Sequence, residues 1–156
     1  MGARILGMPL CDYFSAADDQ AAVAVLQTPG GPGQADLDVV FLKNIDPVVA
    51  IAQLEAILTG CSYEQARVRP RSGQLLSEPE EDGAAFVVAL TASLTTALAS
   101  ASQDDLVRCA EPWSKTDELR QIGISVEDTT GVLQALAGLA QRANAAGRQL
   151  YCWWAL

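Results

Sequence analysis

Histidine is absent from all 156 residues. It is the commonest general base near neutral pH and the commonest metal ligand. Its absence excludes Ser-His-Asp and Cys-His hydrolases, His-ligated zinc sites and histidine proton shuttles. Neither a Gly-Lys-Ser/Thr phosphate loop nor a CxxC pair takes their place. Cysteine is sparse: four residues, at 11, 61, 109 and 152, stand 50, 48 and 43 apart, a spacing that fits neither a zinc knuckle nor a redox motif. They read as reduced, buried thiols of a cytoplasmic protein. Positive charge is scarce as well, with 10 Lys and Arg against 19 Asp and Glu and a net charge of −9. A nucleic-acid surface needs concentrated Lys and Arg, so that function class is disfavoured. The acidity suits solubility, and it equally suits a basic protein partner.

Long apolar runs are missing too. The longest uncharged stretch with helical character, 84–103, is interrupted by Ser and Thr and does not read as a membrane span. The first apolar run is broken by Pro9 and ended by Asp12, unlike a secretion signal, and Leu6 fails the myristoylation pattern.

What is present is a chain that is 50% hydrophobic and long enough for one real core. Ala, Leu and Val dominate its apolar content, which favours helices around a modest sheet. The expected fold is a single α+β domain over 1–156, with a small mixed sheet of about four strands packed by four to five helices.

Strands are expected over 8–14, 37–42, 85–90 and 149–156. Ser15 is placed as the cap of a helix over 16–27, which the Pro- and Gly-rich segment 28–34 stops. Asp46-Pro47 starts a helix that ends at Gly60. Thr91, Ser102 and Ser125 open three more helices, with Pro112 breaking the second and Gly147 ending the third. Flexible loops are expected near 28–36 and 77–83. The first of these lacks the basic residue of a phosphate loop.

No catalytic residue, metal ligand or cofactor site is assigned from the sequence. Candidate ligand contacts are. Glu55 falls about 40° from Ile51 on the helical wheel, inside the apolar arc. It lies either at the border of the core or buried, where a carboxylate suits acid–base work or a specific hydrogen bond. Arg67, Arg69 and Arg71 alternate and would share one face if extended, a candidate anchor for a small anion. The alternative is pairing with the acidic run Glu78, Glu80, Glu81 and Asp82. Tyr13, Trp113, Tyr151 and Trp153 are candidate apolar walls of a pocket, each with core packing as its competing role. A cysteine nucleophile would need arginine or a helix N-terminus, and Cys61 follows a helix C-terminus.

Three features together resemble the YfbM-like family of small bacterial α+β proteins. These are the segment Ile51-Ala52-Gln53-Leu54-Glu55-Ala56-Ile57-Leu58-Thr59-Gly60, the strand-then-helix order from Phe86, and the long helix stopped at Ala145-Ala146-Gly147 before an aromatic strand. That family tends to hold an aromatic where Ile51 stands and a histidine where Glu55 stands. The tail Leu150-Tyr151-Cys152-Trp153-Trp154 is similar to that of small actinobacterial proteins. The resemblance implies the α+β fold and no established activity.

Two functions follow as expectations. One is a non-catalytic, acidic, cytoplasmic module that binds a basic protein. The other is a binder of a small anionic metabolite, or a histidine-free enzyme, built on Glu55, the arginines and the aromatics. Neither involves nucleic acid or membrane, and the sequence leaves the oligomeric state open.

Overall fold

Alternating apolar strands need cover on each apolar face, and this sheet is apolar on both. The computed structural model describes residues 10–76 and 85–155. Five strands form one sheet in the order β2-β1-β5-β4-β3: β1 (Leu10–Ala16), β2 (Val39–Lys43), β3 (Gln74–Leu75), β4 (Ala85–Ala89) and β5 (Gln149–Ala155). Every neighbouring pair is antiparallel. Seven α-helices accompany them: α1 (Asp19–Val23), α2 (Val49–Thr59), α3 (Tyr63–Arg67), α4 (Ala92–Ser100), α5 (Gln103–Ser114), α6 (Asp117–Ile122) and α7 (Val126–Ala145).

The α+β class is as expected, but the finer description needs correcting. The sheet is antiparallel, not mixed, and has five strands rather than about four. The extra strand is a two-residue edge, and the extra helices α3 and α6 span five and six residues. Elements that short show no hydrophobic period.

Strand alternation divides the core in two. Cys11, Tyr13, Leu150 and Cys152 face the larger cluster with the helices, including Leu54, Leu94, Trp113 and Leu136. Phe14, Val87, Tyr151 and Trp153 face a smaller cluster closed by Ala22 and Val25. Trp153 and Trp154 therefore lie on opposite faces, the first buried and the second half-buried.

The start of α1 departs from expectation. Ser15 is not a cap: it and Ala16 continue β1, paired with Leu150 and Gln149. Long-range pairing overrides the local capping signal. Asp18 caps instead, accepting from the Ala21 N–H at 2.8 Å. The helix then tightens into a 3-10 turn at Ala24–Gln27.

Pro112 does not break α5 but lies inside its last turns, where the buried Trp113 anchors the helix end. The Asp46 carboxylate accepts from the backbone N–H groups of Val48, Val49 and Ala50, but α2 begins at Val49 and not at Pro47, with residues 47 and 48 in a turn. Gly60 ends that helix at φ +72°.

The 28–36 segment lies against the smaller core, with Gly31 and Pro32 buried. A side-chain carbon added at Gly31 would sit 2.7 Å from Cδ2 of Trp153, and one at Gly33 would sit 2.9 Å from Cζ of Phe41. Glycine there is a requirement of close packing as well as of φ +84° at Gly31. The expected loop at 77–83 lies outside the described residues.

Candidate functional site

Helix α2 carries Glu55 on the face that meets the N-terminus of α4. Glu55 is buried, with 1% of its surface exposed. An ionised carboxylate there needs several donors. Thr91 donates to Oε1 at 2.6 Å, and Ser93 and Arg69 donate to Oε2 at 2.7 and 2.5 Å.

Arg69 also reaches the Thr59 hydroxyl at 3.2 Å and the Cys61 sulfur at 3.4 Å. The Thr91 hydroxyl is used twice, because it also accepts from Leu94 N–H at 3.0 Å as the cap of α4. The hydrogen bond to Glu55 holds the Arg69 guanidinium above its usual range. Arg69 keeps 28% of its side chain exposed, so the pair is open to water on the arginine side only.

Ser93→Ala removes one donor while leaving Arg69 and Thr91 in place. It is expected to lower the unfolding free energy by about 1 kcal/mol in urea titration. An unchanged midpoint would mean that Ser93 is not a working partner of the carboxylate.

The three arginines separate, contrary to the shared face expected of an extended segment. Residues 63–67 are helical, opened by a Ser62–Gln65 capping box, and the chain then turns through 69–74. Arg67 donates to the Ser72 carbonyl at 3.1 Å. Arg71, at φ +72°, forks onto Asp19 at 2.6 and 3.0 Å.

Tyr151 donates to the same Asp19 at 2.8 Å. The Arg71 hydrogen bond, helped by Tyr151, holds the Asp19 carboxyl below its usual range. Burial, with Asp19 second, pushes the Tyr151 hydroxyl up. The acidic run at 78–82 lies outside the described residues; Arg69 and Arg71 find their carboxylates on α2 and α1 instead.

The aromatic candidates do not join Glu55. Tyr13 is buried in the larger core and donates to the Ile45 carbonyl at 2.5 Å. Trp113 is buried there too, with Nε1 donating to the Ala50 carbonyl at 3.0 Å. Tyr151 and Trp153 lie across the sheet in the smaller core. The eight candidate residues thus form no single site: Glu55 meets Arg69, Arg71 meets Tyr151 through Asp19, and the aromatics are divided between the two cores.

Sequence reasoning did not single out Asp12. It is 6% exposed, on the face of β1 that carries Phe14, directly opposite Phe41 on β2 and Trp153 on β5. Burial pushes its carboxyl up to about 6. The signal was present as an acid inside the apolar strand Leu10-Cys11-Asp12-Tyr13-Phe14. It was legible only if both faces of the sheet were known to be covered.

A groove of about 410 Å³ lies between α2, α4 and α5, with Ile57, Leu58, Ala97 and Ala101 on its walls and Asp105 and Arg108 at its side. The two charged residues pair with each other. Among the described residues, no group of three or more Cys, Asp or Glu is arranged to hold a metal ion, and no helix is long and apolar enough to cross a membrane. No protein-family model matches the chain, and the searches of curated proteins and solved structures gave no match.

Proposed function

We propose that this protein is a non-catalytic, acidic binding module whose partner is a basic protein. The supporting observation is that Glu55, the best-placed candidate base, is 1% exposed and has both oxygens engaged by Arg69, Thr91 and Ser93. A general base must reach its substrate, and this carboxylate is turned into its own fold.

Outside, the first turns of α5, α6 and α7 present Asp104, Asp117, Glu127 and Asp128, all exposed and none in an ion pair among the described residues. Acids at these positions favour the helices themselves. Left unpaired, they also offer a negative field to a Lys- and Arg-rich surface. The groove beside α5, lined by apolar residues and by Ser100, Asp105 and Arg108, offers further contact area. A cytoplasmic setting, which the four free thiols suit, belongs to the same proposal, as does kinship with the YfbM-like proteins.

The test compares the wild type with a variant carrying Asp104→Lys, Asp117→Lys, Glu127→Lys and Asp128→Lys. Each is used to capture partners from the native host under cross-linking. The captured protein is then purified and titrated at low and high salt. The expected result is a basic partner whose affinity falls at least about tenfold in the variant and drops with salt. An affinity indifferent to both changes would sink the proposal.

A second reading has one observation in its favour. The exposed Ser93 hydroxyl donates to a buried carboxylate, with Arg69 and Cys61 at hand. Such a group could hold a small anion. Thermal stabilisation by phosphate or a dicarboxylate, lost in Arg69→Met, would promote it over the module.

A further inference from the structure

The sheet has two outer strands, and they are unlike. β3 is two residues long, and brevity is one way to blunt an edge. β2 runs for five residues, Val39-Val40-Phe41-Leu42-Lys43, in unbroken register with β1 and with neither proline nor bulge. Its β-branched and aromatic residues suit a strand. Among the described residues, no strand pairs with its outer side.

One hydrogen bond fixes the direction of its backbone groups. The Ser15 N–H donates to the Asp38 carbonyl at 3.3 Å, one step beyond the Phe14–Val39 pair. Antiparallel ladders alternate bonded and non-bonded pairs, so Asp38, Val40 and Leu42 turn their N–H and C=O groups toward β1. Val39, Phe41 and Lys43 turn theirs outward, where they meet no backbone partner among the described residues. The middle one carries the edge's apolar surface: Phe41 is 65% exposed, while every other aromatic among the described residues is buried or half-buried.

We propose that β2 is a self-pairing edge, where a second copy of this chain adds its own β2 antiparallel about a two-fold axis at Phe41. Centred there, Phe41 faces the partner's Phe41, and Val39 faces the partner's Lys43. All three pairs are of the bonded kind, so every outward N–H and C=O of the strand finds its complement. The two rings form a cross-strand aromatic pair. Charge favours a second copy as the occupant. Lys43 is the strand's one charge and lies at its end, so the two-fold sets it against valine and never against another lysine. The contact is isologous and closes on itself, and the short β3 gives the joined sheet little edge to grow from. The pairing uses none of the acidic first turns of α5, α6 and α7, so either proposal can fail without the other. If both hold, the dimer presents that acidic face twice.

Sedimentation velocity of the full chain across a concentration series tests this. A monomer–dimer equilibrium is expected. Each copy carries a net charge of −9, so salt should tighten the dimer, the reverse of its effect on a basic partner. Phe41→Lys sets two like charges face to face at an exposed position and should weaken the dimer at least about tenfold. Register is read by cross-linking under oxidised glutathione. Bonded pairs stand about 5.5 Å apart at Cα, within disulfide reach, so Phe41→Cys should form a linked dimer well above the wild-type background. Lys43→Cys, facing valine, should not. The proposal is overturned if the chain stays monomeric up to about 1 mM, if Phe41→Lys dimerises as the wild type does, or if Lys43→Cys cross-links as readily as Phe41→Cys.

Discussion

Trp113→Ala is expected to lower the unfolding free energy by about 3–5 kcal/mol, the range for removing a large buried aromatic. Trp113 is 0% exposed and is among the largest fully buried side chains. Its indole ties the end of α5 to the Ala50 carbonyl in α2 at 3.0 Å. The loss has three sources: apolar area, the cavity left behind, and that hydrogen bond. A fourth is specific to this helix. Pro112 denies the last turns of α5 one backbone hydrogen bond, so the tryptophan holds a helix end that propensity would let fray. Against a total stability of about 5–15 kcal/mol, the variant should be partly unfolded at 37 °C. Trp113→Phe, which keeps most of the ring, should lose clearly less. Urea unfolding followed by circular dichroism measures both, and a loss below about 1 kcal/mol for alanine would show that the core closes over the site.

Asp12→Asn should have the opposite sign and stabilise the protein. The Asp12 carboxyl is raised by burial from 3.8 to about 6, so the folded state holds its proton more tightly than the unfolded state does. For such a group, stability is highest in acid below the unfolded value. It falls as pH rises between the two values and is flat above the folded one. Full conversion of the shift corresponds to about 3 kcal/mol, and solvent screening reduces this to about 2 kcal/mol. Asparagine does not ionise and escapes that loss. Variant and wild type should therefore match below about pH 3, part between about pH 3 and 6, and keep a constant gap at pH 7 and 8. A gap independent of pH would trace the effect to packing and not to charge.

Local signals placed some element boundaries well. The caps at Thr91, Ser102 and Ser125 and the stop at Gly60 depend on residues close to their targets, and they stand where they were expected; the start signal at Asp46 is two residues early. Ser15 shows where local reading fails. Its capping chemistry is as good as that of Ser125, but its backbone pairs with Leu150, far away in the chain. The arginines fail for the same reason. Alternation at 67, 69 and 71 assumes an extended chain, and a five-residue helix followed by turns sends each side chain to a different partner. Glu55 was legible as a residue inside the apolar arc. Its partners Thr91 and Ser93 were not, because they come from another helix through tertiary packing. Asp12 was hidden by the second face of the sheet, which only the 28–36 turn and α1 reveal.

The position of β5 sets the order of events in folding. It lies between β1 and β4, yet it is made about 130 residues after the first and about 60 after the second. On the ribosome, the β1–β2 hairpin and the β3–β4 ribbon emerge as two separate pieces, each with an open edge and nothing yet to join them. Only when Gln149–Ala155 arrives do both edges close, with bonds on either side of a single strand. Until then the nascent chain presents two unpaired templates to its neighbours, and its protection from aggregation depends on the speed of that last insertion.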